Sequence, residues 1–200
     1  MNKRVLYLLV LVVIVSYGFK LYETKAITNE NTRERLLAQV KTLKVYIVSH
    51  PKYNDEMAYF IDMKVMSGKN RFFCYDLKKN VLLDQGLVAH GSGSETDNGI
   101  DLKFSNTPNS YCTALGKYAI GEKYTGVFGK AYRLKGLDRT NDNALARSIV
   151  LHHYHAVPYS EQSQPISNSL GCPMVNKTYF DRIAKQIDSA KKKILLTIYY

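Results

Sequence analysis

The central and C-terminal parts of the chain are divided into short apolar segments separated by turn residues. Residues 59–66 and 71–76 flank the turn at residues 67–70, an arrangement typical of a β-hairpin. A second turn at residues 78–80 leads into residues 81–90 and extends the hairpin to a meander. Short strands joined by turns of this kind predict a mainly β fold.

Further strands and two helices complete this pattern. Strands are predicted at residues 118–120, 127–128, 131–137, 147–152 and 194–200. An early helix, with Thr32 as its N-cap, carries the apolar residues Leu36, Leu37, Val40 and Leu43 at helical spacing, and a late helix spans residues 180–190. We expect a mixed β-sandwich or partial barrel with these helices at its flanks, formed as one domain by residues 32–200.

The N-terminus has the pattern of an export signal. A basic start, Lys3-Arg4, precedes an apolar run at residues 5–15, and residues 16–18 form a small-x-small cleavage site. Residues 1–19 are therefore predicted to be a signal peptide or an uncleaved membrane anchor, and residues 20–31 a polar tether. Either outcome predicts export of the remaining chain, to the periplasm or to the outer face of the cytoplasmic membrane.

The chain is basic, with 28 Lys and Arg against 17 Asp and Glu and a formal net charge of +11. Such a surface favours anionic partners, among them nucleic acid, membrane headgroups or acidic wall polymers, although solubilising surface lysines explain the excess equally well. The sequence has no aromatic-rich RNA motif, zinc finger or recognition-helix pattern, which argues against nucleic acid.

Cys172 lies in the segment Ser169-Leu170-Gly171-Cys172-Pro173, and His152 ends an apolar run upstream. A cysteine nucleophile needs a base within reach or positive potential that favours the thiolate. Pro173 suits the first turn of a helix, so Cys172 is expected at a helix N-cap. The amides of Gly171 and Cys172 are then candidates for an oxyanion hole.

Two alternatives use the same residues. Cys172 is either a nucleophile or a buried small hydrophobe, and His152 either a base or a structural histidine. A zinc site formed by His152, His153, His155 and Cys172 is disfavoured, because adjacent histidines on a strand point to opposite faces. No metal is therefore predicted. Cys74 and Cys112 either pair in an oxidising compartment or are each simply buried, and the second reading is favoured.

The segment around these residues resembles the L,D-transpeptidase family, in the branch ending in Gly-Cys-Pro. Sixteen residues separate His152 from Ser169, which fits the family pattern of His followed by Ser-x-Gly-Cys. Similar segments occur, in the same order, at residues 90–93, 104–106, 115–118, 124–126, 134–137, 141–144 and 147–150. Family members usually have Gly after the His, where this chain has His153.

The resemblance implies a cysteine enzyme that acts on peptidoglycan peptide stems and needs no cofactor. Cys172 would attack the carbonyl between a diamino acid and D-Ala, with His152 as base and with Ser169 or a backbone carbonyl orienting the imidazole. Candidate substrate contacts are the following residues: His90, Ser105, Asn106, Tyr124 and Arg147. For the first four, a role in a turn or in strand packing explains the residue equally well. Arg147 either meets a stem carboxylate or forms an ordinary surface pair. The alternatives are an L,D-carboxypeptidase or endopeptidase that uses water at the same site, and a non-catalytic wall-binding protein.

Overall fold

The computed structural model describes residues 29–99 and 101–200. In chain order its elements are α1 (Glu30–Ser49), β1 (Tyr53–Asp62), β2 (Phe72–Asp76), β3 (Val81–Gly86), β4 (Val88–Ala89), a 3-10 turn (Ser92–Ser94), β5 (Gly116–Gly126), β6 (Gly129–Gly136), β7 (Val150–His153), β8 (Met174–Val175), α2 (Lys177–Ser189) and β9 (Lys193–Tyr199). The predicted export signal, residues 1–19, lies outside the described residues. Neither helix is long and apolar enough to cross a bilayer, a finding that covers only the part of the chain just given.

All nine strands of the described residues belong to one open mixed sheet, in the order β3-β2-β1-β9-β5-β6-β7-β8-β4. The pairs β1–β9 and β7–β8 are parallel, and the others are antiparallel. The predicted mainly β class with flanking helices is confirmed. The predicted hairpin is β1 with β2, and β3 extends it, whereas β4 crosses to the opposite edge of the sheet and pairs with β8.

Side-chain alternation along the central strands divides the core into two layers. On β1, Phe60 faces one layer, which α1 covers through Leu36, Val40, Leu43 and Ile47. Its neighbours Tyr59 and Ile61 face the other layer, which α2 covers through Phe180 and Ile183. This period of two is what a strand buried on both faces requires. The two helices therefore hold the sheet from opposite sides.

The start of α1 differs from the sequence prediction. Asn29 is the N-cap, and its side chain accepts a hydrogen bond from the Thr32 amide, so Thr32 lies within the first turn and is buried. An Asn side chain satisfies the unpaired N–H groups of a first turn as well as Thr does. Leu37, expected among the apolar positions, is 39% exposed, whereas Ile47 extends the buried stripe by another turn.

Residues 127–128 are not a strand. They form the turn between β5 and β6, which pair as an antiparallel hairpin closed by Gly126 and Gly129. Gly129 adopts φ +82°, a conformation that glycine enters without steric cost. Val127 is therefore 97% exposed and Phe128 48% exposed at the hairpin tip.

Cys74 and Cys112 are both buried, as the favoured reading expected. The Cys74 Sγ lies 3.3 Å from the Tyr179 Oη, inside the layer covered by α2. The Cys112 thiol donates to the Gly93 carbonyl at 2.9 Å. Both thiols are therefore free, and each contacts a different part of the fold.

Candidate active site

The parallel pair β7–β8 brings the two motif segments together. His152 lies opposite Met174, and the His152 N–H donates to the Pro173 carbonyl at 3.4 Å. Cys172 therefore lies just before β8, and α2 begins only at Lys177 with Asn176 as its N-cap. The expected helix N-cap at Cys172 is wrong: Pro173 leads into the strand β8, and no helix of the described residues begins at the thiol.

The Cys172 sulfur is held beside β7. The Val150 N–H donates to Sγ at 3.4 Å, and Sγ lies 3.8 Å from the Ser148 carbonyl. Burial raises the pKa of the Cys172 thiol, and the Val150 N–H and the positive charge of Arg147 partly oppose that rise. The residue as a whole is half-buried and packs against the core layer that α2 covers. Because burial outweighs the two opposing effects, the Cys172 thiol is neutral in the resting protein.

His152 is buried and oriented by a backbone carbonyl. Its Nδ1 lies 3.0 Å from the His153 carbonyl, an acceptor, so Nδ1 carries the proton and Nε2 the lone pair. Burial lowers the pKa of His152, although the bond to His153 partly opposes this. The imidazole is therefore a neutral base at neutral pH. Within the described residues no hydrogen bond joins it to the Cys172 sulfur.

Ser169 supports the turn before the cysteine rather than the imidazole. Its Oγ accepts the Gly171 N–H at 3.0 Å, and its amide donates to the His90 carbonyl at 2.8 Å. Of the two sequence alternatives for orienting His152, the structure therefore shows the backbone carbonyl. Since the Gly171 amide is already bonded, the Cys172 amide is the one of the two candidates that remains without a hydrogen-bond partner among the described residues.

Gly171 is required for its backbone conformation. Its φ is +111°, and a Cβ there would lie 3.0 Å from the Cys112 carbonyl and 3.3 Å from the Arg147 Nη2. Both the torsion and the close approach strain any side chain at this position. The sharp turn before Cys172 therefore depends on glycine.

Arg147 holds the long loop against the cysteine segment. Its Nη1 donates to the Ser105 carbonyl at 2.9 Å, and its Nη2 donates to the Cys112 carbonyl at 2.6 Å and the Ser110 Oγ at 3.4 Å. Arg147 thus binds neutral oxygen acceptors, rather than the acidic surface partner that was one expectation. Its charge remains without a carboxylate partner within the described residues.

The other predicted substrate contacts are dispersed. Asn106 donates to Asp142 at 2.6 Å and belongs with Ser105 to the loop that Arg147 anchors. Tyr124 lies on β5, its ring 4.7 Å from the Arg133 guanidinium. His90 is buried behind Ser169. The structure therefore brings together only Ser105, Asn106 and Arg147.

Comparison with known proteins decides the family. The profile described as the L,D-transpeptidase catalytic domain matches residues 28–199. The chain belongs to this family. No curated protein sequence matches the chain.

Several solved structures are similar at low identity. An L,D-transpeptidase from Xylanimonas cellulosilytica is 12% identical, with a TM-score of 0.41, and 73% of this chain is covered. The helical cell shape determining protein Pgp2 from Campylobacter jejuni is 14% identical, with a TM-score of 0.42 and 78% coverage. An L,D-transpeptidase from Mycobacterium tuberculosis is 11% identical, with a TM-score of 0.40 and 72% coverage. The chain spans 61%, 54% and 58% of these three structures, respectively.

One residue that contacts the candidate base was not among the residues predicted from the sequence. Phe128, at the β5–β6 hairpin tip, stacks on the His152 ring with centroids 5.1 Å apart and planes at 18°. It also meets Tyr154 edge-on at 5.4 Å. The available signal was the two glycines that flank residues 127–128, because glycine in a strand pattern often marks a bulge or a tight bend.

The histidines near the site do not form a metal centre. His153 points away from His152 and lies against Phe180, with ring centroids 5.6 Å apart. Among residues 29–99 and 101–200, no three or more His, Cys, Asp or Glu side chains are grouped to hold a metal ion.

Proposed function

We propose that this chain is a peptidoglycan L,D-transpeptidase in which Cys172 is the nucleophile and His152 the base. The orientation of His152, with Nδ1 bonded to the His153 carbonyl at 3.0 Å and Nε2 left as the basic atom, is the observation that carries the proposal. Membership of the L,D-transpeptidase catalytic domain family supports the same chemistry. A base held by a third group is the arrangement that nucleophilic catalysis requires.

The reaction begins from a neutral thiol and a neutral imidazole. The directions of the two pKa shifts, raised for Cys172 and lowered for His152, both disfavour a resting ion pair. Proton transfer requires the thiol to turn from the Ser148 carbonyl towards Nε2, and catalytic contacts often tighten in this way when substrate binds. The sulfur then attacks as it loses its proton.

The substrate is a tetrapeptide stem of peptidoglycan. Sulfur attacks the carbonyl of the diamino acid, the imidazolium returns its proton to the departing amine of D-Ala, and a thioester remains. The amine of an acceptor then attacks the thioester carbonyl, loses a proton to His152, and releases Cys172 as a thiol. The Cys172 amide stabilises the oxyanion in both steps.

The substrate contacts proposed from sequence differ in their surroundings. Ser105, Asn106 and Arg147 act together, because Arg147 fixes the loop that carries the other two. Tyr124 extends the site along the hairpin that carries Phe128, and His90 supports it from behind Ser169. The exposed Leu170, at 70%, adds an apolar contact next to the nucleophile.

The same site accepts water in place of an amine, which would make the chain an L,D-carboxypeptidase or endopeptidase. We propose transfer as the main reaction and an exported location at the cell wall, where the stems occur. Residues 1–19 would direct export or anchor the chain in the cytoplasmic membrane. The basic surface would favour anionic wall polymers or headgroups.

Purified full-length protein incubated with tetrapeptide muropeptides tests this proposal, with products read by mass. We expect free D-Ala and cross-linked dimers from the wild type, and neither product from Cys172→Ser or His152→Ala. His155→Ala is the matched control, since His155 is exposed and should leave both products unchanged. Wild-type product levels in the first two variants would refute the catalytic pair. Shortened stems without dimers would instead establish hydrolysis.

Acylation by a carbapenem provides a second test. A mass increase in the wild type that is absent in Cys172→Ser and present in Cys112→Ser would identify the reactive sulfur. A non-catalytic wall-binding protein would show no acylation and unchanged polymer binding after Cys172→Ser.

A further inference from the structure

Arg133 lies on the same face of the sheet as His152. Its neighbours along β6, Tyr132 and Leu134, are buried in the core layer that α2 covers, so the Arg133 side chain points to the opposite face. His152 follows Leu151, which belongs to the same core layer, and its side chain therefore also leaves the sheet on the face that α2 does not cover. Arg133 is exposed to solvent on this shared face.

The strand register places Arg133 next to both candidate catalytic residues. Arg133 pairs with Val150 across β6 and β7, and Ala131 pairs with His152, so Arg133 and His152 are diagonal neighbours. Diagonal neighbours on one face lie about 7–8 Å apart, within reach of a long side chain. The Val150 N–H, on the other edge of β7, donates to the Cys172 sulfur at 3.4 Å. Arg133 and the proposed nucleophile therefore lie on opposite sides of one strand.

The Tyr124 ring holds the Arg133 guanidinium over this face. The guanidinium carbon lies 4.7 Å from the ring centroid, which is a cation–π contact. Tyr124 pairs with Ala131, which pairs in turn with His152, so these three residues form one row across β5, β6 and β7. Because the ring already restricts the guanidinium, Arg133 loses less conformational entropy when it binds a ligand.

The positive charge of Arg133 has no carboxylate partner within residues 29–99 and 101–200. Two lysines of the same β5–β6 hairpin do have one, since Lys117 pairs with Asp138 and Lys130 pairs with Asp188. An exposed guanidinium that is held in place and left unpaired is suited to bind an anion from solution. Its parallel N–H groups match the two oxygens of a carboxylate.

We propose that Arg133 binds a carboxylate of the donor stem, the peptide that acylates Cys172, and thereby selects the substrate. The inference rests on the proposed function, which supplies the identity of the ligand. A stem that ends in D-Ala carries a C-terminal carboxylate one residue beyond the scissile carbonyl, about 3.6 Å of extended chain. Neighbouring strands lie about 4.8 Å apart, so this carboxylate can lie over β7, between the sulfur and Arg133. Inner residues of the stem can supply other carboxylates, and the experiment separates the two sources.

The test measures binding of defined stems to full-length Cys172→Ala protein by isothermal titration calorimetry. This variant lacks the nucleophile, so the Kd reports recognition without turnover. The probes are a synthetic tetrapeptide stem, the same stem with a C-terminal amide, and the same stem with its inner carboxylates amidated. We expect amidation of the carboxylate that Arg133 binds to weaken binding about tenfold.

Arg133→Gln, added to the Cys172→Ala protein, should weaken binding of the unmodified stem about tenfold. It should also abolish the effect of that one amidation, because the charge that the carboxylate pairs with is gone. Arg133→Lys keeps the charge but loses the parallel N–H groups, and should recover part of the affinity. Lys135→Gln is the matched control, since Lys135 is exposed on the same face but lies beyond the last residue of β6 that pairs with β7. Its Kd should stay within about twofold of that of the Cys172→Ala protein.

The inference is overturned if Arg133→Gln weakens all three stems by the same factor, if it weakens none of them, or if no stem binds. Release of D-Ala from the same stems by the wild type is measured in parallel. Binding that depends on Arg133 without release of D-Ala would refute the proposed reaction and leave the inference standing. Release of D-Ala together with binding that is independent of Arg133 would do the reverse.

Discussion

The neutral state of His90 makes the stability of the protein depend on pH. Burial, together with the positive charge of Arg71, lowers the pKa of His90 to about 4, and the nearby Glu95 opposes this only in part. The ring accepts from Arg71 through Nδ1, so protonation would put two positive groups 2.9 Å apart. Folding therefore requires the neutral ring, and acid should oppose folding through this residue.

The size of the effect follows from the two pKa values. An unfolded histidine titrates near pH 6.5, about 2.5 units above the folded value of about 4, which corresponds to about 3 kcal/mol. Because the folded pKa is lowered, this stability is present above about pH 6.5 and is lost as the pH falls towards about 4. By about pH 5 roughly 2 kcal/mol should be gone.

The assay is urea denaturation of the wild type and of His90→Gln at about pH 7.5 and at about pH 5. Gln keeps one acceptor for Arg71 and one donor in place of the Nε2–H group but does not titrate. We expect the wild type to lose about 2 kcal/mol more than His90→Gln between the two values. His155→Gln, at an exposed histidine, should retain the wild-type loss. Equal pH dependence in wild type and His90→Gln would refute a buried neutral His90.

Three further predictions concern the candidate active site. Gly171→Ala should destabilise the protein by about 1–3 kcal/mol in urea denaturation, because alanine is strained at φ +111°; a stability equal to wild type would contradict the torsional argument. Phe128→Ala should lower kcat roughly two- to tenfold through loss of the stack on His152, with the neighbouring Val127→Ala as the unaffected control. Arg147→Met should raise the pKa of the Cys172 thiol further, measured from the pH dependence of iodoacetamide alkylation, whereas Arg147→Lys should restore much of the charge effect.

The predictions that the structure confirms rest on local patterns. The β1–β2 hairpin was readable because its turn residues separate two apolar runs, and the buried stripe of α1 was readable from its spacing. The exact start of α1 was missed because Asn29 and Thr32 are both good caps, and only the hydrogen bond from the Thr32 amide to Asn29 distinguishes them.

The errors occur where local signals have two meanings. Pro after Cys172 suits a helix start, but pairing of Met174 with His152 made the segment a strand. The apolar pair at residues 127–128 has strand character, yet the flanking glycines closed a hairpin there. In both cases contacts between distant parts of the chain decided the outcome.

The sequence by itself determined the β framework and the family, and it identified Cys172 and His152 as the candidate nucleophile and base. These features depend on periodicity, turn residues and motif spacing, which are properties of residues near one another in the chain. Only the tertiary structure decided which groups surround those two side chains. The His153 carbonyl at Nδ1, the Phe128 ring over His152 and the Arg147 charge near the thiol all depend on which strands lie side by side. Strand order is set by burial and pairing over the whole sheet, and no local stretch of sequence specifies it.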